Sequence, residues 1–214
     1  MNKIKVAVID YGIGNLLSVC KIFEFCGAKV SLTNKSNSIF DADRVVLPGV
    51  GAFADGMKEL KARDLDSILL DLASRNTPLL GICLGMQMLL DESEEFGLTK
   101  GLGLIPGRVV PVPNVSTDGN PHKIPHIGWN ELIPSESKSN WSGSVMQDIE
   151  KGETAYFVHS FMARTDNPDN RLADCNYGGI RIAATICRNN IIGCQFHPEK
   201  SGEVGLRIIK RFLN

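Results

Sequence analysis

The chain has 214 residues, 43% hydrophobic and 22% charged, which suits one globular domain of ordinary composition. A formal net charge of -1, with lysines and arginines scattered, gives no basis for nucleic-acid or anionic-membrane binding. No segment approaches the roughly 18 consecutive apolar residues of a membrane span. The N-terminal "MNKIKVAVIDYG" reads as a first β-strand ending in a glycine turn, not as a signal peptide, so the expected location is the cytoplasm.

In chain order, "IKVAVI" (residues 4–9) is a buried strand. "LLSVCKIFEFCG" (16–27) has helical spacing and a C-capping glycine. "KVSLT" is a second strand and "RVVLPGVG" a third. "MKELKARDLDSILLDLASRN" is helical with a break near Asp64, and "PLLGIC" is a fourth strand. This β-α-β-β-α-β order predicts a mostly parallel sheet covered by helices. Beyond Gly101 the runs "GRVVPV", "KIPHIGWNELI", "TAYFVHSFMA", "RLADCNY", "IRIAATICRN" and "IIGCQF" read as strands. They should form antiparallel hairpins that extend the sheet or build a second one. "SGEVGLRIIKRFL" closes the chain as an amphipathic helix, and residues 113–123, "PNVSTDGNPHK", form a turn-rich loop. No repeat or linker divides the chain, which predicts a single domain over residues 1–214.

Six cysteines occur, none in a Cys-x-x-Cys pair. Cys20, Cys26, Cys175, Cys187 and Cys194 fall in helix or strand patterns and read as small buried hydrophobes. Cys83 differs. It sits in "GICLG" at a strand–turn–helix junction, a nucleophile-elbow pattern with cysteine in the serine position. Gly81 and Gly85 remove side chains that would clash at so tight a turn. The helix from Leu84 points its N–H groups at the sulfur, which favours the reactive thiolate. A base is needed. Of His122, His126, His159 and His197, the last follows a strand in "GCQFHPEKS", with Pro198 holding the chain extended so that Glu199 projects beside the ring. In "LPGVGAF", glycines after a strand aim backbone N–H groups at a ligand, and Gly51 with the Leu84 N–H would form an oxyanion hole. A phosphate loop lacks its lysine–serine pair, and "DYGIGN" lacks the third glycine of a dinucleotide fingerprint.

In these residues the chain resembles the class I, triad-type glutamine amidotransferases, and within them the glutaminase subunits of imidazole glycerol phosphate synthases. "DYGIGN", "LPGVGAF", "GICLGMQMLL", "ESEE", "GLGLIPG", "PHIGWNE", "YFVHSF" and "FHPEKSG" carry the likeness in family order across nearly the whole chain. The resemblance implies an α/β fold with a central, mostly parallel sheet flanked by helices and additional antiparallel strands. It implies that Cys83 attacks the glutamine side-chain amide, that His197 moves the proton, and that Glu199 orients His197. Gln87, Ser160 and Phe161 would line the glutamine pocket. Asn15, Trp129, Tyr156 and Lys200 would face a (β/α)8-barrel cyclase that receives the ammonia in a heterodimer, making imidazole glycerol phosphate and aminoimidazole carboxamide ribonucleotide. No cofactor or metal is implied. Two departures stand out. Phe161 occupies a position where tyrosine is commoner in the family, and the 113–123 loop is long. The loop leaves open a different acceptor enzyme, such as a sugar amidotransferase.

Overall fold

A computed structural model describes residues 3–214; Met1 and Asn2 of the N-terminal stretch lie outside the described residues. The first half alternates β1 (Lys5–Ile9), α1 (Leu16–Phe25), β2 (Lys29–Thr33), α2 (Ser36–Phe40), β3 (Arg44–Leu47), α3 (Phe53–Ala62), α4 (Leu65–Ser74), β4 (Leu79–Ile82) and α5 (Leu84–Met88). The second half carries β5 (Glu92–Ser93), β6 (Thr99–Lys100), β7 (Gly107–Pro111), β8 (His126–Glu131), β9 (Ile133–Pro134), β10 (Thr154–His159), β11 (Phe161–Thr165), β12 (Arg171–Tyr177), β13 (Ile180–Arg188), β14 (Ile191–Cys194) and the closing helix α6 (Gly202–Leu213).

The main sheet runs β2-β1-β3-β4-β14-β13-β12-β9. Its first five strands are parallel, and β13, β12 and β9 extend it antiparallel. Smaller sheets pair β8 with β10 and join β11-β7-β5-β6. Strand alternation creates two cores, one per face. Val6, Val8, Val46 and Leu80 pack with Phe23 of α1 and Ile208 and Phe212 of α6. Ala7, Ile9, Val45, Leu47 and Leu79 pack on the opposite face with Phe53, Leu60 and Leu69 of α3 and α4. The edge-to-face pair Phe23–Phe212, 6.2 Å between centroids, ties the first helix to the last.

Three local expectations hold for their stated reasons. Gly27 takes φ 94, and the N–H groups of Gly27 and Ala28 return to the carbonyls of Glu24 and Phe23, a Schellman stop to α1. Asp64, at φ 55, marks the break between α3 and α4. The 113–123 loop is turn-rich and packs on the β12–β13 turn, with the Thr117 N–H donating to the Gly178 carbonyl. Two others need correction. The short helix α2 intervenes between β2 and β3, making each early crossover helical; "SNSIF" is too brief for a helical period to register. "TAYFVHSFMA" is not one strand. It divides at Ser160 into β10 and β11, which join different sheets.

Candidate active site

Three adjacent parallel strands, β3, β4 and β14, end side by side, and their carboxyl ends carry the site, where ligands bind in open α/β sheets. Cys83 follows β4 with φ 54 and ψ -108, a backbone strain typical of a nucleophile held on a sharp turn. The elbow requires its glycines. A Cβ on Gly81 would lie 2.7 Å from backbone atoms of Gly85 and Met86, and one on Gly85 would lie 1.8 Å from the Leu47 carbonyl oxygen. The Cys83 N–H donates to the Cys194 carbonyl at 2.7 Å, fastening the turn to β14.

His197 follows β14. Its Nδ1 meets Glu199 Oε1 at 2.8 Å, both side chains being almost wholly buried. The expected extended segment is instead a single 3-10 turn over Pro198–Lys200, which brings the two side chains together across one residue. Ser201 fixes this turn, donating to the His197 carbonyl at 2.7 Å and accepting from the Tyr156 N–H at 3.0 Å. His197 Nε2 is buried with no hydrogen-bond partner. Burial opposes charge on this ring, but the neighbouring Cys83 sulfur and Glu199 carboxylate outweigh it and raise His197 to about 9.

Cys83, His197, Gly51, Leu84, Gln87, Ser160 and Phe161 line one cavity of about 380 Å³. Glu199 stands behind His197, beside Asn15, in a smaller crevice. Trp129 and Tyr156 are register partners on β8 and β10 with ring centroids 6.0 Å apart. Lys200 Nζ lies 5.8 Å from the Tyr156 centroid, so these three form one patch, with Trp129 exposed.

The oxyanion hole expected at Gly51 and Leu84 is not open in this conformation. The Leu84 N–H donates to the Gly49 carbonyl at 3.3 Å. Tyr11, fully buried, holds the same loop by donating to the Pro48 carbonyl at 2.7 Å. Nothing in the local pattern of "DYGIGN" marks Tyr11 for this task.

Further residues were also missed. Glu95 lines the cavity and accepts the Phe53 N–H at 2.6 Å; it supplies the carboxylate an α-ammonium group would seek. His159 lines the cavity too. Its Nδ1 lies 2.8 Å from the Phe161 carbonyl, which can only accept, so Nδ1 carries the proton and Nε2 is an acceptor. His126 Nδ1, 2.9 Å from that Nε2, is then the donor, and the Asn130 amide donates to His126 Nε2 at 3.3 Å. Burial pushes His126 down to about 4 and His159 to about 3. All six cysteines are free, and burial raises Cys175 and Cys194 to about 12, chemistry that keeps them inert. Among the described residues, no group of three or more His, Cys, Asp or Glu is placed to hold a metal ion, and no helix is long and apolar enough to cross a membrane.

A strained cysteine between two obligatory glycines stands beside a histidine–glutamate pair at one end of a parallel sheet, and comparison with known proteins gives the class of protein. Residues 7–214 match the model of the class I glutamine amidotransferase family, and the chain belongs to that family. It is 53% identical over 208 residues to imidazole glycerol phosphate synthase subunit HisH 1 of Legionella pneumophila (strain Lens), covering 97% of this chain and 98% of the relative. It is 44% identical over 209 residues to imidazole glycerol phosphate synthase subunit HisH of Geobacillus sp. (strain WCH70), covering 98% and 96%. The fold alone is shared with PurLQS from Thermotoga maritima, at TM-score 0.71 and 22% identity over 100% of this chain and 99% of that one. The same holds for the glutaminase domain of Trypanosoma brucei CTPS, at TM-score 0.62 and 15% identity over 98% and 94%.

Proposed function

We propose that this chain is the glutaminase subunit of an imidazole glycerol phosphate synthase in histidine biosynthesis, with residues 1–214 acting as one glutamine amidotransferase domain. The relatives' names carry the pathway, and the union of Cys83, His197 and the glutamine-pocket residues around one cavity supports the chemistry. Cys83 attacks the glutamine carboxamide as thiolate while His197 holds its proton, supported by the Glu199 carboxylate. Ammonia leaves with that proton. Water then cleaves the thioester to glutamate, with His197 as base. Gln87, Ser160 and Phe161 contact the substrate, and Glu95 pairs with its ammonium group.

The oxyanion hole uses Leu84 once the Gly49 carbonyl is withdrawn. Rotation of the Gly49–Val50 peptide exchanges that carbonyl for the Val50 N–H, which takes the place of the Gly51 N–H expected from the sequence. The torsions that turn are ψ of Gly49, which carries no Cβ to hinder them, and φ of Val50. The isolated subunit is therefore slow, and partner binding completes the hole. The partner is a (β/α)8-barrel cyclase in a heterodimer, docked over Asn15, Trp129, Tyr156 and Lys200, and the setting is cytoplasmic.

The test is glutamine hydrolysis by the chain alone and with such a cyclase plus its nucleotide ligand. Strong stimulation with imidazole glycerol phosphate formed from glutamine is expected. Equal rates with and without the cyclase would overturn the regulatory step, and slow hydrolysis it never stimulates would assign the ammonia to another synthase. Cys83→Ala should abolish glutamine use while the complex still makes product from ammonia.

A further inference from the structure

The nucleophile has a polar neighbour that the triad leaves unused. Gln195 stands just past β14, two residues before His197, and its side chain is fully buried. Its Nε2 lies 3.8 Å from Cys83 Sγ, and its Oε1 lies 3.1 Å from Gln87 Nε2. Gln87 Nε2 is also 3.1 Å from the Phe161 carbonyl oxygen. These contacts fix both amide orientations. A backbone carbonyl only accepts, so the Gln87 atom facing Phe161 is the NH2 group. Its second hydrogen meets Gln195, whose facing atom must then be oxygen. The Gln195 NH2 group is left pointing at sulfur.

We propose that Gln195 is a catalytic residue, a buried N–H donor to the Cys83 sulfur that stabilises the thiolate and aims it at the substrate. The inference deepens the glutaminase reading and rests on it. A second polar contact of the sulfur is the Val158 carbonyl oxygen, at 3.9 Å. That oxygen can accept from the thiol but repels the thiolate. When the proton passes to His197, the Val158 contact becomes unfavourable and the Gln195 contact strengthens, because a hydrogen bond to an anion in a buried site is the stronger kind. Formation of the C–S bond moves the sulfur's charge to the amide oxygen, and thioester hydrolysis returns it. Gln195 gains and loses no proton in either step. The same chain of amides links the sulfur to Gln87 on the cavity wall, so the donor is set by the pocket that binds substrate.

The full chain is examined as Gln195→Met, which keeps the bulk and removes the donor, and as Gln195→Glu, which keeps the acceptor for Gln87. Iodoacetamide labelling of the Cys83 peptide, followed by mass against pH, reports thiolate without requiring glutamine. For Gln195→Met we expect half-maximal labelling to move to higher pH by about one unit. With the cyclase present, kcat should fall about tenfold or more while KM stays within about threefold. Gln195→Glu donates only while its carboxyl is protonated, so its kcat should fall further as pH rises. An unchanged labelling profile in Gln195→Met, or a loss confined to KM, overturns the proposal. Should Gln195→Met not fold, a wild-type profile in Gln195→Glu overturns it instead. A wild-type chain that hydrolyses no glutamine even with the cyclase would remove the glutaminase reading, while the labelling profiles would still test the contact to sulfur.

Discussion

His197 and His159 line the same cavity, are both buried, and are tuned in opposite directions. Burial alone pushes an imidazole toward neutrality. At His159 and its neighbour His126, nothing reverses that. Their partners are a carbonyl, an amide and each other, and His126 is stacked between Phe157 and Tyr177, at 5.1 and 4.1 Å. Both stay neutral, at about 3 and about 4. His197 has a carboxylate on one nitrogen and the Cys83 sulfur near the other, and rises to about 9. Burial in the same cavity therefore does not decide whether a histidine is charged; the charge of its partner does.

The largest effect should come from His197 itself. His197→Ala is expected to lower glutamine hydrolysis about a thousandfold, within the range for a lost general acid–base, with ammonia-dependent synthesis by the complex retained. His159→Asn keeps an N–H for the Phe161 carbonyl and should cost less than about tenfold. Equal losses, measured by steady-state kinetics, would break the comparison. Glu199→Gln comes next, at about a hundredfold in kcat.

Glu199→Gln also has a signature in stability. His197 is raised on folding, so its contribution is fully present below its unfolded value near 6.5 and is lost as pH rises through about 9. Urea midpoints should decline over that window in the wild-type chain and decline less in Glu199→Gln. The neutral pair carries the opposite sign. Because His126 and His159 are lowered, the unfolded chain binds more protons between their folded values and about 6.5, and stability falls as pH drops through that interval. The double variant His126→Asn, His159→Asn should flatten this acid limb, read by urea unfolding between pH 4 and 7. An acid limb as steep as wild type would mean that other groups titrate there.

The sequence made some of this contrast legible and hid the rest for a physical reason. Cys83, His197 and Glu199 announce themselves because each sits in a short motif whose glycines or proline dictate the local backbone. The parallel half of the sheet was readable from its apolar runs and intervening helices, though α2 was too short to show a period. The neutral histidines and Gln195 were not readable. His126 and His159 are 33 residues apart and meet only because β8 and β10 pair in one register, with His126 opposite His159. Gln195 reaches Gln87 across 108 residues through the junction of β14 with β4. Such contacts depend on strand order, which no local spacing encodes. Likewise, the glycines of "LPGVGAF" pointed to an oxyanion loop, but which way its peptide faces depends on Leu84, in another element.

The smallest expected effect concerns the departure at position 161. The amide chain toward Cys83 and the imidazole chain toward Asn130 both begin at the Phe161 carbonyl, which accepts from Gln87 Nε2 and His159 Nδ1. Both bonds are made by the backbone, and β11 holds that backbone against β7 whatever side chain stands there. The Phe161 ring contributes an edge-to-face contact with the exposed Phe96 ring, 6.5 Å between centroids, which a tyrosine ring would keep. Phe161→Tyr should therefore change kcat and KM for glutamine by less than about threefold, an energy below 1 kcal/mol, and leave the acid limb of stability in place. A tenfold change in KM would mean that the ring, not the carbonyl, contacts the substrate. The origin shared by the two chains would then be a property of the fold without bearing on glutamine.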